Sequence, residues 1–276
     1  MNSFAIFVNT CDKFDDCWDP FFKLFSEYWP NYKGKIYLNT EYKDYSYKDL
    51  DIVALKIAEE NRDAHKITWS ECLRRALNKI EEDIVLYVQE DYFFKDRVKD
   101  EIVNEFAQLM ISNKDIHCIQ LTDQGSPAEI PSEYKKLWKV PRFHRDRISC
   151  QASFWRRAVL NQHIRTYETA WNFEWWGSKR SAILDHNFYV VDPGWVEKDK
   201  FELIPYVFTG VIGGRWFKEV VPLFEKHNIL VDYSKRGFFE QKPKPIKKRI
   251  SAKFKRFPIE VRSSMDLILL KLNIAK

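Results

Sequence analysis

Residues Ile84-Val85-Leu86-Tyr87-Val88 form an unbroken apolar run between the charged triplet Glu81-Glu82-Asp83 and the polar Gln89-Glu90-Asp91. So short a run, apolar at both alternating positions, predicts a strand buried on both faces, as in a parallel sheet covered by helices. Open sheets of that kind place their ligands beyond the carboxyl ends of the strands. Gln89, Glu90 and Asp91 project there; the alternative makes Glu90 and Asp91 merely the solvated end of a strand, or a cap on the next helix.

The rest of the first half repeats the alternation. A first strand through Ile6-Phe7-Val8-Asn9 turns at Thr10-Cys11-Asp12-Lys13 into a helix from about Trp18 to Tyr28, which Pro30 ends. Strands are expected at Lys35 to Asn39 and Ile52 to Leu55, and Thr68 with Glu71 fits a capping box opening a helix to Ile80. A helix over Val98 to Ile111 and a strand at Ile116 to Leu121 follow. Strands separated by helices predict a doubly wound, mostly parallel α/β sheet. The pattern breaks over 122–143, resumes at Ile148 to Leu160, and reaches an aromatic block, Trp171 to Ser178, before a strand at Phe188 to Val191.

Length and composition suit a folded domain: 276 residues, 45% hydrophobic and 31% charged. Aromatic residues make up 16%, an excess that favours ligands with stackable faces, sugars or bases, although most rings are expected in the core. The N-terminus reads as a strand rather than a signal peptide, and no stretch approaches the roughly 20 apolar residues of a spanning helix. The five scattered cysteines lack a Cys-x-x-Cys pair and predict reduced thiols in a cytoplasmic protein.

The chain divides into a domain over 1–240 and a basic, Pro-containing tail over 241–276. Lys242-Pro243-Lys244-Pro245-Ile246-Lys247-Lys248-Arg249 and Lys253-Phe254-Lys255-Arg256-Phe257 concentrate positive charge on a chain whose net charge is only +5, before a final helix from Met265 to Leu272. The tail suits an anionic membrane surface, with a solvated linker as the equal alternative. Nucleic acid is not expected, because no recognisable module accompanies the charge.

In order and spacing, Thr10-Cys11-Asp12-Lys13-Phe14, Trp18-Asp19-Pro20-Phe21-Phe22, Ile36-Tyr37-Leu38-Asn39-Thr40, Trp69-Ser70-Glu71-Cys72-Leu73, Gln89-Glu90-Asp91-Tyr92-Phe93 and Ser149-Cys150-Gln151-Ala152-Ser153-Phe154-Trp155 resemble the bacterial GT-A-type glycosyltransferases of capsular and lipopolysaccharide biosynthesis. The resemblance spans most of residues 4–225 and implies a GT-A-like, Rossmann-like sheet that binds a nucleotide-sugar donor. It implies contact of Thr10, Asp12, Trp69 and Ser70 with the nucleotide, and of Gln89, Glu90 and Asp91 with the donor. The family's Asp-x-Asp motif holds a divalent cation, whereas this chain has Gln89-Glu90-Asp91. Mg2+ or Mn2+ on Asp91, with His186 as a further ligand, is therefore one expectation, and a metal-independent reaction is the other.

Without a metal, the leaving diphosphate needs other positive charge, and Arg142, His144, Arg145 and Arg147 are the nearest dense cluster in sequence. Glu174, inside the aromatic block, is the expected catalytic base of an inverting transfer to a glycan or lipid-linked acceptor, its pKa raised by burial. The alternative pairs it with Lys179 or Arg180. Such an enzyme would be cytoplasmic and peripheral at the inner membrane face. Gly210 to Trp216 is either a flap over the donor or a turn. The rival function is a non-catalytic carbohydrate-binding or assembly protein.

Overall fold

The computed structural model describes residues 4–59, 67–241 and 246–272. In chain order the elements are β1 (Ala5–Asn9), α1 (Trp18–Tyr28), β2 (Ile36–Leu38), β3 (Ile52–Ala54), α2 (Trp69–Lys79), β4 (Ile84–Gln89), α3 (Asp100–Ser112), β5 (Cys118–Gln120), β6 (Ile130–Pro131), β7 (Leu137–Lys139), β8 (Ser153–Arg156), α4 (Arg157–His163), α5 (Ala170–Ile183), β9 (Phe188–Val191), β10 (Val211–Ile212), β11 (Arg215–Trp216), α6 (Val220–Lys226) and α7 (Ile246–Lys271).

Nine strands form one sheet in the order β3-β2-β1-β4-β8-β5-β9-β7-β6. β1, β2, β3 and β4 run parallel, with Ile6 opposite Ile36 and Leu86. β8 enters antiparallel between β4 and β5, and β9 is parallel to β5. The sheet is thus the mostly parallel α/β arrangement expected, with β7 and β8 reversed. β1 and all but the last residue of β4 are buried, as their unbroken apolar sequences require.

Much of the aromatic excess is core. Phe94, just beyond β4, meets Phe21 and Phe25 of α1 at ring-centroid distances of 5.5 Å, in the edge-on arrangement the ring quadrupoles favour. Helix α2 starts as expected: the Thr68 hydroxyl accepts the Glu71 amide at 3.1 Å.

Two helices extend beyond what the sequence assigned. The aromatic block is helix α5, with Glu174 inside it, and Thr169 caps the helix by accepting the Asn172 amide. The C-terminal helix begins at Ile246, well before Met265, because Lys and Arg are good helix formers and no proline interrupts until Pro258. The expected Pro-punctuated stretch at Lys242 to Pro245 lies outside the described residues. α7 packs against α5, and no described helix is long and apolar enough to cross a membrane.

Candidate functional site

The carboxyl ends of β1, β2 and β4 meet at one mouth. Buried Asn9 and Asn39 join across it, the Asn39 amide donating to Asn9 Oδ1 at 2.9 Å and that of Asn9 to the Tyr87 hydroxyl at 3.1 Å. β4 ends in a turn in which the Tyr92 amide donates to the Gln89 carbonyl, leaving Glu90 and Asp91 at its centre. The turn sends the two carboxyls to different neighbours.

Asp91 is taken up by the 209–217 segment. Its Oδ2 accepts the Thr209 hydroxyl at 2.8 Å and the Val211 amide at 3.0 Å, while its carbonyl accepts the Gly210 amide. A side chain at Gly210 would strike the Phe93 ring at 2.2 Å, so only glycine permits this approach. The expected flap or turn is a β10–β11 hairpin whose tip, Gly213 and Gly214, has positive φ at both residues, as two-residue hairpin turns demand. Burial raises the Asp91 pKa, and its hydrogen bonds oppose that rise.

Glu90 faces the first loop instead. Among the described residues no side chain hydrogen-bonds its carboxyl, although the residue is only 8% exposed. Burial pushes its pKa well up and Asp91 and Asp16 add to the rise, while its own backbone amide and then the Arg236 charge oppose it. Arg236 had no signal in the sequence. Its Nε donates to Asp16 at 2.6 Å, one terminal nitrogen donates to the Lys13 carbonyl at 2.7 Å, and its plane covers the Phe14 ring at 4.5 Å. It is the cation that acts on Glu90, brought from more than 140 positions away in sequence.

The other side of the mouth is the approach to β8. Gln89 Nε2 and the Tyr92 hydroxyl both donate to the Cys150 carbonyl, at 3.3 and 2.8 Å. The Cys150 amide donates to Glu174 Oε1 at 2.7 Å. Burial raises the Glu174 pKa, while the Cys150 contacts pull it down. Pairing with the neighbouring cations does not occur: Lys179 sits over the Trp175 and Trp176 rings, and Arg180 binds Glu168. Trp171, 78% exposed, and Trp175, 45% exposed, lie one turn apart on the outside of α5 beside Glu174.

Thr10, Asp12, Trp69 and Ser70 stand around this mouth, and the polar groups of Thr10 and Asp12 serve the scaffold. Asp12 accepts the amides of Glu41, Tyr42 and Lys43, tying the first loop to the end of β2 rather than capping a helix. The Thr10 hydroxyl accepts the Trp18 indole N–H at 2.9 Å. The Trp69 ring packs on Phe173, 5.7 Å between centroids. Ser70 is buried, and its hydroxyl has no partner among the described residues.

Two expected groups lie elsewhere. His186 precedes the amino end of β9, while Asp91 follows the carboxyl end of β4, and these strands run in the same direction. One ion cannot span the length of the sheet, so Asp91 and His186 do not form a metal site. His186 instead lies 3.1 Å from His163 (Nδ1 to Nε2) with its ring 4.8 Å from that of His117 and tilted to it, where burial and the neighbouring His117 and Arg147 charges hold its pKa down to about 4.

The Arg142 to Arg147 cluster runs along the second half of α5. Arg142 binds the Ala182 carbonyl and Asp185, and buried Arg147 donates to the Arg142, Ser181 and His186 carbonyls. His144 accepts the Asp146 amide, and Arg145 pairs with Asp146. None of the four is brought to the mouth by these contacts. The described residues hold no group of three or more His, Cys, Asp or Glu suited to a metal ion. A hard cation completed by substrate phosphates needs only one or two protein carboxylates, and Glu90 is the one left open.

No family model and no curated protein matches the chain. Among solved structures it is similar to S. aureus TarS 1-349 at 13% identity and a TM-score of 0.42, covering 72% of this chain and 59% of that one. It is similar to mannosyl-3-phosphoglycerate synthase from Rubrobacter xylanophilus at 11% identity and a TM-score of 0.32, covering 57% and 54% of the two chains. For the bifunctional IspDF from Campylobacter jejuni the values are 14% and 0.36, covering 73% of this chain and 51% of that one. TM-scores below 0.5 carry no functional argument, so the site itself has to supply one.

Proposed function

We propose that this chain is a nucleotide-sugar-dependent glycosyltransferase of hexosyltransferase type. It moves one sugar, with inversion, to a hydroxyl of a capsular or lipopolysaccharide precursor, a glycan or lipid-linked acceptor held at the inner face of the cytoplasmic membrane. The observation that supports this best is the pair Glu90 and Glu174. Both are acids of raised pKa set around the end of one central strand, one without a side-chain partner and the other held by Cys150.

The reaction needs a base on one side and charge control on the other. Glu174, oriented by the Cys150 amide, takes the proton of the acceptor hydroxyl as its oxygen bonds to the anomeric carbon. The bond from that carbon to the diphosphate oxygen breaks, and the diphosphate leaves with the electron pair. A pKa raised by burial brings Glu174 nearer the working pH, where a general base is most effective. Arg236 lies on the diphosphate side, next to Glu90. Mg2+ or Mn2+ held by Glu90 and the donor's phosphates would neutralise the leaving group. Trp171 and Trp175 offer the acceptor sugar exposed ring faces beside the base.

The test is a thermal-shift screen of the full chain against UDP, GDP, CMP, dTDP and their common sugar conjugates, each with Mn2+ or with a chelator. A ligand at a hundredfold over its dissociation constant adds about 2.7 kcal/mol of stability. Selective stabilisation by one nucleotide is expected, and its loss with chelator would place a cation in that complex. No shift with any of them overturns the donor site in favour of a non-catalytic glycan-binding protein.

A further inference from the structure

Helix α7 presents the wrong face to the protein. A surface helix ordinarily buries its apolar stripe and shows its polar side to water. On α7 the buried side includes Ser263, fully buried, whose hydroxyl lies 3.2 Å from Glu168 Oε1. Asp266 accepts Arg165 Nε at 2.8 Å and lies 3.7 Å from Arg180. Leu270 completes this inner face.

The outer face is apolar. Phe257, Val261, Met265, Ile268 and Leu272 recur at spacings of four, four, three and four, which puts them on one side of a helix. They are 63, 43, 59, 57 and 61% exposed, and Leu269 flanks them at 40%. The sequence carries the same spacing back through Phe254 and Ile250. Between Gln241 and Ile259 the chain holds eight Lys or Arg, Lys242, Lys244, Lys247, Lys248, Arg249, Lys253, Lys255 and Arg256, and no acid.

We propose that α7 is a membrane-docking helix that lies flat on an anionic bilayer, seating Phe257, Val261, Met265, Ile268 and Leu272 in the boundary of its apolar layer. An apolar face continuing into a run of positive charge that contains no acid needs an apolar phase beneath a negatively charged surface, and anionic lipid supplies both. At 26 residues the helix is about 39 Å long, and no described helix is apolar enough to cross instead. The polar inner face leaves the apolar stripe free for lipid without unfolding any part of the domain. This inference rests on α7 alone and stands or falls separately from sugar transfer.

The test is co-sedimentation of the full chain with vesicles of phosphatidylglycerol and phosphatidylethanolamine, against vesicles of phosphatidylcholine alone, at physiological salt. Binding to the anionic vesicles is expected, at least about tenfold tighter than to phosphatidylcholine. Met265→Glu combined with Ile268→Glu, both on the exposed face, should weaken it by about tenfold or more with Tm unchanged. Wild-type protein left in the supernatant, or a double variant that binds as well as wild type, overturns the proposal. So does light scattering showing a dimer that the double variant splits, with no vesicle binding, since the stripe is then an interface between copies.

Discussion

At the amino end of the sheet every guanidinium nitrogen of Arg156 finds a partner within the chain: the Lys114 and Ile116 carbonyls for Nε, the Asp83 carboxylate for one terminal nitrogen, and the Met110 and Asn113 carbonyls for the other. At the carboxyl end Glu90 is nearly as buried and has no side-chain partner among the described residues. Burial alone is common to both. What separates them is whether the chain itself completes the polar group's bonds: where it does, the group is scaffold, and where it leaves them open, a ligand is needed to finish the site. Asp91 lies between the extremes, at the mouth but already holding the hairpin.

Substitutions at the two ends should therefore separate activity from stability. Glu174→Gln carries the largest expected effect, a loss of about 10²- to 10⁴-fold in turnover with nucleotide binding and Tm unchanged. Retained turnover in a competent assay removes Glu174 from the mechanism. Arg147→Met, at the closed end, should cost about 3 kcal/mol in urea unfolding and leave nucleotide affinity untouched, since the loss strands buried carbonyls. An affinity change without a stability change would break the comparison.

Arg236→Gln comes next. It should weaken binding of the nucleoside diphosphate identified in the thermal screen by about tenfold, measured calorimetrically, the worth of one charge-assisted contact. Glu90→Gln has the smallest effect and the opposite sign, a gain in stability of about 0.5–2 kcal/mol near pH 8, as sites held for function commonly give when relieved. Its pH dependence sharpens the point. With the folded pKa raised above the unfolded one, the folded state keeps its proton where the unfolded state loses it, so wild-type stability falls as pH climbs above about 4.5. The gain from Glu90→Gln should accordingly shrink as the pH approaches 4. A gain independent of pH would mean that Glu90 is not buried as an acid.

The central sheet was legible because its strands are buried on both faces and read as continuous apolar runs, as in Ile84 to Val88. α5 was not, because Trp171, Phe173, Trp175 and Trp176 distribute aromatic residues around the helix rather than along one stripe. Charge concealed the first half of α7 in the same way. In the site, Gln89, Glu90 and Asp91 could be placed from the end of the strand, whereas Glu174 was reached only through the family resemblance and lies inside α5. Arg236 and Thr209 could not, because Arg236 reaches the first loop and Thr209 the β4 turn from more than a hundred residues away, and no local pattern encodes such a pairing. Dense local charge misled the reading at Arg142 to Arg147, where the positive groups answer the carbonyls at the end of α5.

Helix α5 bears Glu174 near its start and, six residues on, Arg180, whose guanidinium holds Glu168 and reaches Asp266 of α7. Six residues of helix are about 9 Å of rigid strut. The strut that carries Glu174 at one end is thus the one that α7 grips at the other, through Asp266 and Arg180.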